Sequence, residues 1–250
     1  MSATFRLDRL LANMGYGSRR EVQHLVKLGR VILDGAPVTS ADMKVVASQD
    51  LSDRMRINGA RLDPPPGIAL IMHKPLGVTC SHKDTGTLVY SLLPSRWRMR
   101  EPAISTVGRL DKETSGLLLL TDDGDLLHRI ISPRKHVAKR YRVTLARPLS
   151  GDEGARFASG KLMLEDDDKP VAPAVLEPLG PCEAYLTVTE GRYHQVRRMF
   201  AAVGNHVEAL HRDRIGGLDL PDDLEPGQIR RMAPEQIDMI FAQPGETPAV

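Results

Sequence analysis

Aromatic side chains are scarce in this sequence, 4% of its 250 residues. Stacking on bases or sugars must therefore fall on a few particular rings. Cysteine is scarcer still: Cys80 and Cys182 stand far apart and form no C-x-x-C. That spacing excludes a disulfide framework and a cysteine-ligated zinc site, and two reduced thiols are expected. No run of about 18 apolar residues occurs, so no membrane-spanning helix is expected. The first six residues carry no apolar signal core, and the expected location is the cytoplasm. Net charge is nearly absent too, at +2. That value alone does not indicate a nucleic-acid partner, and the distribution of charge decides more than its sum.

What is present is an ordinary globular composition, 41% hydrophobic and 26% charged. The chain is long enough for a small domain beside a medium one. The expected division is residues 1–60, a linker at 61–67, a larger unit at 68–242 and a loose tail at 243–250. The linker reading rests on Pro64, Pro65 and Pro66, which favour neither helix nor central strand. Acidic residues gather at 152–153, 165–168 and 219–225, away from the basic ones.

In the small unit Leu7, Leu10, Leu11 and Met14 recur at helical spacing. Gly15-Tyr16-Gly17 ends that helix. Ser18 and Glu21 form a capping box for a second helix that buries Val22, Leu25 and Val26 and stops at Gly29. Residues 31–33 read as a strand, Asp34-Gly35 as a hairpin turn, and 45–46 and 55–57 as further strands. Arg19 and Arg20 occupy the first turn of the second helix, where the dipole disfavours cations. Lys27 and Arg30 follow near its end. Each alone suits a solvated polar face, but together they suit a phosphate-contacting surface. Arg6-Leu7-Asp8, Ser18-Arg19-Arg20-Glu21 and Gly29-Arg30-Val31 with Asp34-Gly35 resemble an S4 RNA-binding domain over roughly residues 5–52. The resemblance implies binding to structured RNA.

In the larger unit residues 68–72 form a continuous apolar run, expected as a buried strand, and lead into His73-Lys74-Pro75-Leu76-Gly77. A second apolar run, 117–120, follows Gly108-Arg109-Leu110-Asp111. Helices are expected at 126–131 and 192–203, and strands at 141–145, 175–176 and 184–189. This pattern predicts an α+β protein with a mainly antiparallel mixed sheet flanked by helices. Asp111 read by itself is better explained by a salt-bridged turn than by chemistry. Asp122, Asp123 and Asp125 flank Gly124 and read as a plain turn. Residues 129–142 hold Arg129, Arg134, Lys135, Lys139, Arg140 and Arg142 with no acid, a positive field suited to a polyanion. Tyr141 lies inside it, either as a base-stacking ring or as a half-buried strand tyrosine. Arg192, Arg197 and Arg198 with His194 form a second basic cluster, and Arg212 and Arg214 with His211 a third.

Taken together the pieces resemble the pseudouridine synthases. Gly108-Arg109-Leu110-Asp111 followed by Thr114-Ser115-Gly116 and 117–124 is similar to their central motif. His73-Lys74-Pro75-Leu76-Gly77 is similar to their first, which often has asparagine where this chain has His73. Lys139-Arg140-Tyr141 resembles the tyrosine motif, and Glu190-Gly191-Arg192-Tyr193-His194-Gln195-Val196-Arg197-Arg198 the C-terminal one. The run through His211-Arg212-Asp213-Arg214-Ile215-Gly216 is similar to the RsuA-type branch, which acts on small-subunit ribosomal RNA.

The resemblance implies a reaction that breaks the uracil N1–ribose C1′ bond, turns the base and joins its C5 to C1′. Glycosidic cleavage builds positive charge on the sugar, and a carboxylate answers it. Asp111 takes that role, whether it attacks C1′, attacks C6 or removes a sugar proton. The resemblance assigns Arg197 as the partner that keeps Asp111 ionised, Tyr141 as the ring stacked on uracil, and Arg109 as the filler of the space left by the flipped base. Lys74, Lys139, Arg140 and Arg192, with Arg19, Arg20, Lys27 and Arg30 of the small unit, are the expected RNA contacts. No metal or cofactor is expected, and the expected state is a monomer bound to ribosomal RNA. The rival readings are action on large-subunit RNA, a non-catalytic ribosome-assembly factor, and an RNA glycosylase that leaves an abasic site.

Overall fold

The computed structural model describes residues 4–81, 85–132 and 135–242, and these divide into two compact units. One unit holds the chain up to Ala69 together with Tyr90–Ser105 and Leu120–Gly124. The other holds Leu70–Val89, Thr106–Leu119 and the chain from Asp125 onward. Arg134 of the basic stretch and the tail at 243–250 lie outside the described residues.

The first unit runs β1 (Thr4–Arg6), α1 (Leu7–Asn13), α2 (Arg19–Lys27), β2 (Val31–Leu33), β3 (Ala36–Pro37), β4 (Lys44–Val46), α3 (Leu51–Arg54), β5 (Met55–Ile57) and β6 (Ala60–Arg61). Strands β3-β2-β5-β6 form one sheet, and β1 pairs with β4. Leu7, Leu10, Leu11, Met14, Val22 and Val26 are buried in one core, as their helical spacing predicts. Both halves of the capping box form: Ser18 Oγ accepts from Glu21 N, and the Glu21 carboxylate accepts from Ser18 N. Asp34 and Gly35 carry φ of +51° and +80°, the pair of positive values that a two-residue hairpin turn demands.

Two features of this unit were not expected. Leu62 is buried in the core, Asp63 N–H donates to the Tyr16 hydroxyl at 2.8 Å, and Arg96 pairs with Asp63 at 2.8 Å. The proline segment is thus anchored at its start. Asp122 is not a simple turn residue either. Its carboxylate is buried, pairs with buried Arg100 at 3.1 Å, and accepts from the N–H groups of Gly67 and Ile68. The turn reading failed because the partners lie more than 20 residues away in the chain.

The remaining elements, which fall mostly in the second unit, are β7 (Ala69–Lys74), β8 (Ser105–Thr106), β9 (Thr114–Thr121), α4 (Gly124–Ile131), β10 (Lys139–Leu145), α5 (Glu153–Ala158), β11 (Val175–Gly180), β12 (Glu183–Val188), α6 (Gln195–Ala202), β13 (Val207–Ile215), β14 (Leu218–Asp219), β15 (Ile229–Arg231) and α7 (Pro234–Met239). The main sheet has the order β11-β12-β10-β13-β9-β7-β15, with β14 beside β13 and β8 beside β9. The β10, β11, β12 and β13 pairings are antiparallel, whereas β9 and β13 run parallel, so the sheet is mixed and the class is α+β. Leu117, Leu118, Leu119 and Leu120 are all buried, the continuous apolar pattern of a strand covered on both faces. Val143, Leu145, Leu186, Val188, Phe157, Met199 and Phe200 form the core under one sheet face. Helix α6 is shorter than the expected 192–203. His194 has φ +49° and ψ +31°, a left-handed conformation that cannot continue an α-helix backwards.

Candidate active site

Asp111 sits on the turn that enters β9, and that turn is held at successive carbonyls. Asp111 O accepts from Thr114 N at 3.0 Å, and Lys112 O from Gly77 N at 2.9 Å. Glu113 O accepts from Arg197 Nη2 at 3.0 Å, and Thr114 O from Lys74 Nζ at 2.8 Å. Two separate segments, residues 74–77 and α6, thus fix one four-residue turn, and the Asp111 backbone has little room to wander. Preorganisation of this kind is what a reacting carboxylate needs.

The turn forms one wall of a cleft of about 400 Å³, within the range of small-ligand sites. Asp111, Arg109, Tyr141, Lys139, Arg192, His194 and Arg197 all line it, together with Thr114, Leu210 and Arg212. Tyr141 reaches it from the middle of the sheet. A bulge between β10 and β13 sets Arg140 opposite Arg214 but Tyr141 opposite Arg212, leaving Asp213 outside the regular pairing. Arg140 takes Asp213 in a two-pronged pair, with its closest contact at 2.8 Å, and its guanidinium lies over the Tyr185 ring. Ordinary alternation along β10 separates its basic residues by face, so Lys139 and Tyr141 line the cleft and Arg140 does not, while the bulge in β13 turns Arg212 to the face of Tyr141.

Several expected roles change accordingly. Arg197 was expected to pair with the Asp111 carboxylate. It instead spans Val207 O at 2.9 Å and Glu113 O at 3.0 Å, so it braces the turn through its backbone. Among the described residues the partner of Asp111 is His194, whose Nε2 lies 3.4 Å from Oδ1. The left-handed backbone at His194 is the kind of strain that accompanies functional sites. Tyr193 stacks on the His194 ring at 3.8 Å and remains largely exposed. Lys74 was expected to touch RNA, yet it is fully buried, and burial lowers its pKa against the pull of Cys80, Asp111 and Glu113. It braces the turn from beneath. Arg192 is held by Asp167 at 2.8 Å and Glu190 at 3.3 Å, and Arg198 by the same Asp167 at 2.7 Å. The acidic block at 165–168 thus answers the basic C-terminal motif.

The cations without a carboxylate partner within 4 Å, among the described residues lining the cleft, are Arg109, Lys139, Arg197 and Arg212. Lys139 is half-buried, and burial first, then the neighbouring Arg212, lower its pKa to about 8. Arg212 is almost fully buried, donating from Nε to Leu117 O at 2.9 Å and from Nη1 to the Tyr141 hydroxyl at 3.4 Å. Sequence reasoning placed Arg212 beside Arg214 in a basic cluster and missed its separate position. Arg214 pairs with Asp219 instead. In the first unit Arg20, Lys27 and Arg30 are exposed, but Arg19 has a local partner. Its guanidinium lies 3.0 Å from buried Asp8. Burial opposes the charge on Asp8, yet hydrogen bonds from Arg6, Gln23 and Arg19 hold its carboxyl well below the usual range.

A carboxylate on a fixed turn, a tyrosine facing it from the sheet and an excess of cations in a cleft on a mixed sheet describe an enzyme for a polyanionic substrate. The comparisons give that class a family. The family model for RNA pseudouridylate synthase matches residues 68–202, and the S4 domain model matches residues 5–51. The chain belongs to the RNA pseudouridylate synthase family, whose members are isomerases acting on RNA. It is 42% identical over 236 residues to the ribosomal small subunit pseudouridine synthase A of Escherichia coli (strain K12), covering 93% of this chain and 98% of that one. It is 41% identical over 241 residues to an uncharacterized RNA pseudouridine synthase of Bacillus subtilis (strain 168), covering 94% and 98%. A crystal structure of a pseudouridylate synthase superposes with a TM-score of 0.66 at 35% identity, over 94% of this chain and 99% of that one.

Proposed function

We propose that this chain converts one uridine of small-subunit ribosomal RNA into pseudouridine, as a monomer in the cytoplasm and without a cofactor. The observation that carries the reading is the fixed turn that presents Asp111 to the cleft that Tyr141 also lines. The name borne by the relatives at 42% identity supplies the small-subunit substrate. Asp111 meets the positive charge that grows on C1′ as the N1 bond breaks. Tyr141 stacks on the uracil and helps remove the C5 proton at the end. Arg109, exposed on the rim, fills the space left by the extruded base. Arg197 acts on Asp111 by holding the turn. Residues 1–60 form the RNA-anchoring domain and 68–242 the catalytic one, joined through 61–67.

The test is to map pseudouridines in ribosomal RNA from cells with and without the protein, and to follow tritium release from RNA labelled at uridine C5. One small-subunit pseudouridine disappears with the protein, and purified wild type restores it while Asp111→Asn does not. If wild type releases no more tritium than Asp111→Asn on any ribosomal RNA, the chain is a binding protein and the catalytic reading is wrong. Loss of a large-subunit pseudouridine instead would move the substrate to that RNA. Free uracil with an abasic site, in place of an RNA of unchanged mass, would make it a glycosylase.

A further inference from the structure

The described residues contain two buried side-chain polar atoms without a hydrogen-bond partner, Thr114 Oγ1 and Arg212 Nη2. Both belong to residues lining the cleft of Asp111 and Tyr141. An unpartnered polar atom in a dry place is costly, and an unpaired guanidinium more so. Arg212 has no carboxylate within 4 Å among the described residues, and its neighbour Lys139 is a second cation in the same wall. The fold goes to some length to hold Arg212 there. The bulge on β13 brings it opposite Tyr141, and Gly116 lets the β13 backbone approach where a Cβ would lie 2.1 Å from Arg212 O. Such a cation is poised for negative charge that appears only during the reaction.

We propose that Arg212 receives the detached base. Its Nη2 donates to a carbonyl oxygen of the uracil anion, both before and after the base turns. The inference rests on the reading of the chain as a uridine isomerase. When the N1–C1′ bond breaks, its electron pair stays with the base, and the charge spreads over N1, O2 and O4. The positive charge left at C1′ is met by the Asp111 carboxylate. The base then turns about the line through N3 and C6, which exchanges N1 with C5. The same turn exchanges O2 with O4. A single fixed donor therefore faces a carbonyl oxygen in either orientation and fixes the base at both ends of the turn. The new bond forms from the C5 electron pair to C1′, the C5 proton leaves, and N1 takes up a proton, so the RNA is isomerised without change of mass.

The test uses the full chain and an RNA fragment carrying the uridine it converts, with uridine, 2-thiouridine or 4-thiouridine at that position. Sulfur accepts hydrogen bonds poorly, so each replacement slows single-turnover conversion by wild type by about 10- to 100-fold, as expected for loss of one charge-assisted bond. Arg212→Met slows the uridine RNA by about 100- to 1,000-fold at saturating enzyme. Its RNA affinity is unchanged, and the further effect of sulfur is largely gone. The wild-type arm needs no variant, so the proposal remains exposed even if Arg212→Met fails to fold. Wild type converting uridine and both thio RNAs at one rate would overturn it. So would a full sulfur effect persisting in Arg212→Met, or an unchanged rate in that variant. If wild type converts no ribosomal uridine at all, it is the isomerase reading that fails.

Discussion

Lys139 carries a consequence that belongs to a single residue. Its ammonium shares a half-buried wall with Arg212, and its pKa falls to about 8. Below that pH the lysine is a cation for the RNA, and above it the free enzyme presents a neutral amine. The value of kcat/KM, which reports the free enzyme, falls as pH rises through about 8. Folding stability moves the other way. Between the folded value and the unfolded value of 10.5 the unfolded chain binds more protons, so stability rises with pH across that window. A pH series of kcat/KM beside thermal melts separates the two effects. In Lys139→Arg the cation persists and the alkaline fall near pH 8 disappears. An identical fall in that variant would assign it to another group. His194 shows what one residue hides from a linear reading: it lies inside a recognised motif, but its contact with Asp111 depends on a left-handed backbone.

At the scale of elements, the parallel pair β9–β13 governs the site. Gly116 lies opposite Arg212 with φ +110°, and a Cβ there would meet backbone atoms of Arg212 at 2.1 and 2.8 Å. Backbone in mid-sheet cannot step aside as a flexible side chain would. Gly116→Ala therefore costs at least about 2 kcal/mol in urea unfolding. It also lowers kcat by more than the loss of folded protein accounts for, because the strand that carries Arg212 must shift. Full activity per folded molecule would show that Arg212 tolerates displacement. The turn at Asp111 tells a related story. Its carbonyls are tied by Gly77, Arg197 and Lys74. Sequence spacing identifies these residues as motif members but not as props for the turn.

For the whole molecule the near-zero net charge conceals an internal division of labour. Asp167 holds Arg192 and Arg198, Asp213 holds Arg140, and Asp8 holds Arg19. Those arginines organise the protein, and Arg20, Lys27 and Arg30 are the exposed cations of the second helix and its end. The triple charge reversal Arg20→Glu, Lys27→Glu and Arg30→Glu weakens RNA binding. It reduces the slope of log K against log salt by roughly 2–3, counting 0.7–0.9 per phosphate contact. The measurement is a salt titration of RNA affinity, with kcat at saturating RNA as control. Arg19 is left out because its reversal would set two carboxylates beside each other at buried Asp8. An unchanged slope would remove this face from the RNA-binding surface.

The sequence by itself determined the elements and the family. Helical spacing of Leu7, Leu10, Leu11 and Met14, the Ser18–Glu21 box and the leucine run at 117–120 are local patterns, and each forms as read. The motif around Asp111 and the Lys139–Tyr141 segment likewise announce themselves by residue order alone. Tertiary structure decided how charge is spent. Whether an arginine binds RNA, braces a carbonyl or cancels an aspartate depends on a partner tens of residues away, as for Arg100 with Asp122 or Arg192 with Asp167. It also decided the position of Arg212, because one bulged residue in β13 breaks the two-residue alternation that would have placed Arg212 and Arg214 alike. Periodicity is a property of the chain, but pairing and burial are properties of its neighbours, and the site is built from neighbours.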